Sequence, residues 1–240
     1  MFMLWRAWQF FRHQFYLKHR KGHGIHSPYL FDFINQVLFH SQKTSVQESI
    51  LKEHRRLRSL NSFVRRSSVS MKYGALLYRI ARWFRPEMII ELGTGVGIST
   101  LYLSSGSPET PLHSIERNDE RAALAAQLTG RYSPGPVSIH RGEMGEKLGH
   151  ILSLLPSRFM AFVDGNHRYE STVEYVRRLL GKAGEESVIV MDDIYWSRGM
   201  HRAWEEVISW PEVRVSIDLF HMGILLLRKD LTKTKIKVKF

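Results

Sequence analysis

From Pro86 onward the chain alternates short apolar runs with helical stretches, and this alternation restricts the fold more than any other feature. Strands are predicted at Met88–Glu91, Leu112–Glu116, Val137–His140, Phe159–Val163 and Ser187–Met191. Helical spacing follows them near Ile98–Ser105, Asp119–Thr129, Gly145–Leu155, Tyr169–Leu180 and Met200–Ile208. Strand and helix in strict alternation imply a mostly parallel sheet covered on both faces, an α/β doubly wound fold. Two further strands, Val213–Leu219 and Gly223–Leu227, have almost nothing between them. They must pair antiparallel, because a parallel crossover needs a dozen or more residues. Seven strands are therefore expected, with a terminal antiparallel hairpin. The tail Lys233–Phe240 alternates Lys with Thr, Ile, Val and Phe, as an edge strand or a loose basic end would.

Ahead of this body, residues 1–67 read as a basic, aromatic-rich helical extension to a domain spanning 68–240. Val46–Leu60 and Met71–Phe84 have amphipathic spacing, and Gly22–Pro28 is a loop by its glycine and proline content. Charge divides the chain in the same way. Residues 1–85 carry 16 Lys+Arg against 3 Asp+Glu, whereas residues 86–240 carry 19 against 20. Such a front suggests an acidic partner: a membrane surface, a nucleic acid or a charged substrate. Residues 1–21 mix Trp5, Trp8, Phe10, Phe11, Phe15 and Tyr16 with Arg6, Arg12, Lys18 and Arg20. A helix of that composition can lie on an anionic membrane or pack its aromatics on the body, and packing is the reading preferred. Arg55, Arg56, Arg58, Arg65 and Arg66 form a second basic cluster, for which a solvated face is the usual explanation. No stretch is apolar enough to span a membrane or to read as a signal peptide. The absence of cysteine fits a reducing, cytoplasmic setting, with at most peripheral membrane contact.

Directly after the first strand stands Glu91-Leu92-Gly93-Thr94-Gly95-Val96-Gly97-Ile98-Ser99. Glycines let the backbone turn sharply and lie against a ligand, and the next helix offers free N–H groups to an anion. A dinucleotide fingerprint wants G-x-G-x-x-G, but here the third glycine comes one residue early. The spacing and the preceding Glu91 favour a carboxylate ligand, the methionine end of S-adenosylmethionine, over a pyrophosphate. Glu116, at the end of the second strand, is placed to bond ribose hydroxyls.

Val69-Ser70-Met71-Lys72-Tyr73-Gly74, the Glu91–Ser99 motif and Glu116 together resemble the catechol and caffeoyl-CoA O-methyltransferase group. They are similar also to bacterial sugar and antibiotic O-methyltransferases of the same S-adenosylmethionine-dependent class I. The resemblance covers roughly residues 68–228. It implies that Ser99 binds the methionine carboxylate, that Gly93, Thr94 and Gly95 line the cofactor, and that Gly142, Glu143 and Met144 flank the adenine.

Two acidic segments carry the expected chemistry: Asp164-Gly165-Asn166-His167 after strand four, and Asp192-Asp193 after strand five. Both lie at strand ends where doubly wound sheets bind ligands. Three carboxylates there would suit Mg²⁺ or Mn²⁺. The resemblance implies the same ligands, with Asp-Asp in place of Asp-Asn. It also places His167 where relatives carry a general base, lysine in catechol-type members and histidine in sugar methyltransferases. The reading is therefore an O-methyltransferase, metal-assisted, acting on a small-molecule, sugar or lipid-linked hydroxyl, with a homodimer common among relatives. Two alternatives stand beside it. One is a metal-independent methyltransferase of nucleic acid or protein, although the base-directed Asn/Asp-Pro-Pro-Tyr/Phe motif is missing. The other is a membrane-associated binding module of the same fold without turnover.

Overall fold

The structure, a computed structural model, describes residues 2–15, 27–40, 44–60, 64 and 68–240. Most of the Gly22–Pro28 loop, Tyr16 to Arg20, and Arg65 and Arg66 lie outside the described residues. The chain opens with helices α1 (Phe2–Gln14) and α2 (Pro28–Phe33), the latter continuing as a π-helical segment over Ile34–Leu38. Next come α3 (Ser45–Leu60), α4 (Met71–Phe84), β1 (Met88–Leu92), α5 (Ile98–Gly106) and β2 (Leu112–Glu116). They are followed by α6 (Asp119–Tyr132), β3 (Val137–Arg141), α7 (Met144–Leu154), β4 (Phe159–Val163) and α8 (Tyr169–Leu180). The chain ends with β5 (Val188–Asp192), α9 (Arg198–Val207), β6 (Val215–Asp218), β7 (Met222–Leu226) and β8 (Thr234–Lys237). This is the α/β doubly wound, Rossmann-like arrangement that the alternation predicts, with eight strands among the described residues where seven are expected.

The chain divides into two compact units, residues 41–160 and residues 1–40 with 161–240. The expected boundary between residues 67 and 68 thus falls inside the first of these.

Within residues 41–160 the strand order is β3-β2-β1, all parallel, with Ile89 opposite Leu112 and Leu112 opposite Val137. β1 is buried along its whole length, as a strand covered on both faces must be. Helix α4 starts where Ser70 accepts a hydrogen bond from the Tyr73 N–H and stops at Arg85, which turns left-handed at φ 43°. It lies unusually close to α5, and the sequence shows why. A Cβ at Gly74 would stand 2.3 Å from the Tyr102 ring, and one at Gly106 would stand 2.4 Å from the Tyr78 carbonyl oxygen. Behind Tyr102, the buried His54 of α3 bonds its hydroxyl at 3.1 Å.

In the other unit the strand order is β4-β5-β7-β6-β8. β7 runs antiparallel to both β5 and β6, which is the expected hairpin. Gly223 of β7 has no room for a side chain, because the buried Trp204 ring lies 2.3 Å from where its Cβ would be. The eighth strand comes from the lysine-alternating tail. β8 pairs parallel with β6 and turns Ile236 inward.

Helix α1 belongs to this second unit and uses its two faces differently. Its inner face seats Trp5 against Tyr195 and His201, and places the buried His13 3.1 Å from Asp218 Oδ1. Its outer face carries Leu4, Trp8, Phe11 and Phe15, all exposed.

Candidate functional site

In residues 41–160 the candidate residues gather at the turn from β1 into α5. Gly93, Gly95 and Gly97 all have positive φ, at 103°, 55° and 88°, a region that L side chains enter only with strain. The glycines differ in their surroundings. A Cβ at Gly97 would press on the Ala125 backbone of α6 at 3.1 Å, whereas one at Gly95 would meet nothing within 4 Å. Gly97 therefore serves helix packing, and Gly95 leaves open space above the loop. Gly97 is also the N-cap of α5 and offers no side-chain bond to the helix's first N–H groups.

Two carboxylates hold this turn. Glu91 is fully buried, and its Oε2 accepts from the Thr100 and Ser114 hydroxyls, each at 2.6 Å. Its Oε1 is buried without a well-formed hydrogen bond. Burial raises the Glu91 carboxyl to about 7, opposed by the Ser114, Ser99 and Thr100 hydroxyls and reinforced by Glu116. Ser114 also bonds Thr94, which ties the loop to β2. Glu116 accepts from the Gly95 N–H through Oε2 and from the Asn118 N–H through Oε1, both at 2.9 Å. Each oxygen keeps a lone pair for a ligand hydroxyl. Gly142 donates its N–H to the Glu116 carbonyl, which brings the Gly142-Glu143-Met144 turn beside the end of β2. Ser99 is nearly buried in the first turn of α5. The structure thus gathers Glu91, Gly93, Thr94, Gly95, Ser99, Glu116 and Gly142 around one turn. Ser114 and Thr100 are the residues that sequence reasoning missed, since no motif marks a hydroxyl that props up a buried acid.

In residues 161–240, with α1, the second group of candidates forms at the ends of β4 and β5. Asn166 and His167 have positive φ, 69° and 38°, and fold the segment after β4 so that His167 Nε2 lies 3.6 Å from Asp164 Oδ1. Burial lowers the imidazole's proton affinity, and Asp193 partly restores it. Asp192 is driven well above the ordinary carboxylate range by burial and by Asp193, against the Asp193 backbone N–H and Arg6. Asp193 turns left-handed at φ 53° and accepts through its carbonyl from the Trp196 N–H at 2.7 Å. The Trp196 ring lies 6.2 Å from that of His167.

Among the described residues, no three His, Asp or Glu side chains come together as a group able to hold a metal ion. Asp164 is turned to His167, and Asp193 is paired with Arg6 of α1, whose Nη2 lies 3.8 Å from Oδ1. The expected set of Asp164, Asp192 and Asp193 does not, as arranged here, fit Mg²⁺ or Mn²⁺. Arg6 is a third residue that the sequence did not mark for this site, because nothing local connects it to Asp193.

Comparison with known proteins finds the same fold and the same β1 turn region in methyltransferases. Residues 90–194 match the family described as a methyltransferase domain. A provisionally named O-methyltransferase of Mycobacterium sp. (strain JLS) is 30% identical over 117 residues, 47% of this chain and 52% of that protein. The chain therefore spans about half the length of this curated relative. Among solved structures, an O-methyltransferase from Bacillus cereus in complex with SAH superposes with a TM-score of 0.59 at 18% identity, covering 82% of this chain and 97% of that one. A SAH-bound methyltransferase from Podospora anserina reaches 0.66 at 16% identity, covering 85% and 97%. At these identities the likeness shows the fold.

Proposed function

We propose that the chain is an S-adenosylmethionine-dependent O-methyltransferase acting on a hydroxyl of a small-molecule, sugar or lipid-linked acceptor. The observation that carries this reading is the turn after β1. Its backbone is left-handed at three glycines, open above Gly95, and backed by a buried acid with a vacant oxygen lone pair. Those features fit the cofactor: Glu116 would hold hydroxyls, the N-terminus of α5 with Ser99 would hold a carboxylate, and Glu91 Oε1 would accept from a donor. Gly142, Glu143 and Met144 are the residues assigned to the adenine. When bound, S-adenosylmethionine supplies an electrophilic methyl on a sulfonium.

On the acceptor side, His167 is the base. Its lowered proton affinity keeps the imidazole neutral and able to take the hydroxyl proton, and Asp164 stabilises the imidazolium that forms. Trp196 and the His167 ring provide the wall against which the acceptor is held, so that positioning contributes most of the rate. No step is assigned to Mg²⁺ or Mn²⁺, since the carboxylates are turned to His167 and Arg6.

The exposed outer face of α1 supports peripheral contact with an anionic membrane. No described helix is long and apolar enough to cross a membrane.

The test is a calorimetric titration of S-adenosylmethionine into the full chain, followed by a screen of hydroxyl acceptors with labelled methyl donor. Micromolar binding and methyl transfer to oxygen are expected. A chain that binds no S-adenosylmethionine is not a methyltransferase.

A further inference from the structure

Helix α1 delivers Arg6 to the end of β5, and several contacts fix it there. Its guanidinium lies 3.8 Å from Asp193 Oδ1 and 5.1 Å from the centre of the Trp196 ring. The neighbouring Trp5 stands against Tyr195 and His201. Farther along the same helix, His13 is buried on Asp218, which also accepts from the Tyr195 hydroxyl at 2.8 Å and from the Phe220 N–H at 2.9 Å. The helix is thus pinned on both sides of Arg6, and Tyr195 belongs to both clusters. Arginine cannot shed its charge, and its planar fork serves a carboxylate and an aromatic face together.

We propose that Arg6 is the built-in cation of the Asp192-Asp193 pair. It fills the electrostatic role that a divalent ion would otherwise have and excludes such an ion while α1 is seated. This rests on reading the same cluster as the acceptor side of a methyltransferase. Arg6 acts there as a positioning residue, holding Asp193 and Trp196 beside His167. A metal drawn to Asp193 would have to approach a fixed positive charge a few ångströms away, and the repulsion opposes binding. The first turns of the chain, which the family resemblance does not reach, thereby complete the site.

The test needs no knowledge of the acceptor. Mn²⁺ is titrated into the full chain, followed by electron paramagnetic resonance of the free ion, for wild type, Arg6→Ala, Arg6→Gln and Arg6→Lys. Wild type and Arg6→Lys are expected to leave Mn²⁺ free at micromolar concentration. Arg6→Ala and Arg6→Gln are expected to gain affinity by at least about tenfold, the scale of removing one like charge at this separation. Stoichiometric uptake by wild type at micromolar Mn²⁺ overturns the assignment, and so does equal affinity in wild type and both neutral variants. S-Adenosylmethionine affinity, measured on the same samples, should be unchanged by all three substitutions and reports that they are folded. If no sample binds it, the methyltransferase reading fails while the Mn²⁺ comparison still decides the role of Arg6.

Discussion

The turn after β1 and the acidic ends of β4 and β5 are both rich in carboxylates, yet they are built from different distances along the chain. Around Glu91 every brace is close in sequence: Thr100 is 9 residues away, Ser114 23, and Glu116 reaches Gly95 across 21. Around Asp193 the balancing charge comes from Arg6, and the helix that carries it is tied down by His13 on Asp218, 205 residues apart. The first region braces its buried acid with nearby hydroxyls, whereas the second sets a cation from a distant helix beside Asp193. A site assembled from one βαβ segment is fixed as soon as that segment folds. A site finished by a distant helix stays open to whatever that helix brings.

The largest effect should come from His167, the proposed base. Replacing His167 with Ala is expected to slow methyl transfer by roughly 10²–10⁴-fold, the usual contribution of a positioned proton acceptor. S-Adenosylmethionine affinity should stay within about twofold. Single-turnover rates on an acceptor from the screen would show this, and an undiminished rate would remove His167 from the chemistry. Next comes Gly95→Val. Because nothing lies within 4 Å of the new Cβ, the fold should survive with a penalty of roughly 1–2 kcal/mol for the positive φ. Cofactor affinity should fall about 100-fold, because the side chain fills the space where a ligand lies against the loop. Gly97→Val should do the reverse and chiefly unfold, since its Cβ meets the Ala125 backbone. Equal loss of stability in the two variants would erase the distinction between a ligand glycine and a packing glycine.

What was legible in the sequence follows the same division. The strand-helix alternation and the terminal hairpin were readable because each element's period is local. The glycine turn and Glu116 were readable because their spacing is fixed by one βαβ unit. The eighth strand was half legible, since lysine alternation marks a strand without naming its neighbour. Arg6 was not legible at all. It read as one charge among many on a basic front, and only the fold carries it to Asp193. The metal expectation rested on three acids near two strand ends, and their partners Arg6 and His167 appear only in the fold.

Glu91 offers a pH test of how the first region handles its charge. Its carboxyl stands at about 7 in the folded chain against an ordinary 4.5. Between those values the folded state holds a proton that the unfolded state has released, so stability falls as pH rises through that window. From this group stability is greatest below about 4.5 and lowest above about 7. The whole difference is on the order of 3 kcal/mol. Glu91→Gln should abolish that slope, leaving its melting temperature higher than wild type at pH 8 and closer to it at pH 5. Thermal melts of cofactor-free protein at the two pH values measure this. A wild type that gains on the variant as pH rises would mean that Glu91 is ionised and paired in the fold.

The smallest effect expected concerns the outer face of α1, and it separates the helix's two roles. Leu4, Trp8, Phe11 and Phe15 are 76%, 63%, 57% and 76% exposed, one apolar stripe at helical spacing. The inner residues Trp5 and His13 hold the helix to the body without them. Replacing all four outer residues with Ser should therefore leave Arg6 seated while weakening attachment to vesicles of phosphatidylcholine and phosphatidylserine by about tenfold or more. That scale reflects a short interfacial helix, whose binding is marginal and reversible and depends on anionic lipid as well as buried area. Co-sedimentation of the full chain at low and high salt would measure it. Unchanged sedimentation in the Ser variant would reduce α1 to its inner face, the part that finishes the acidic site.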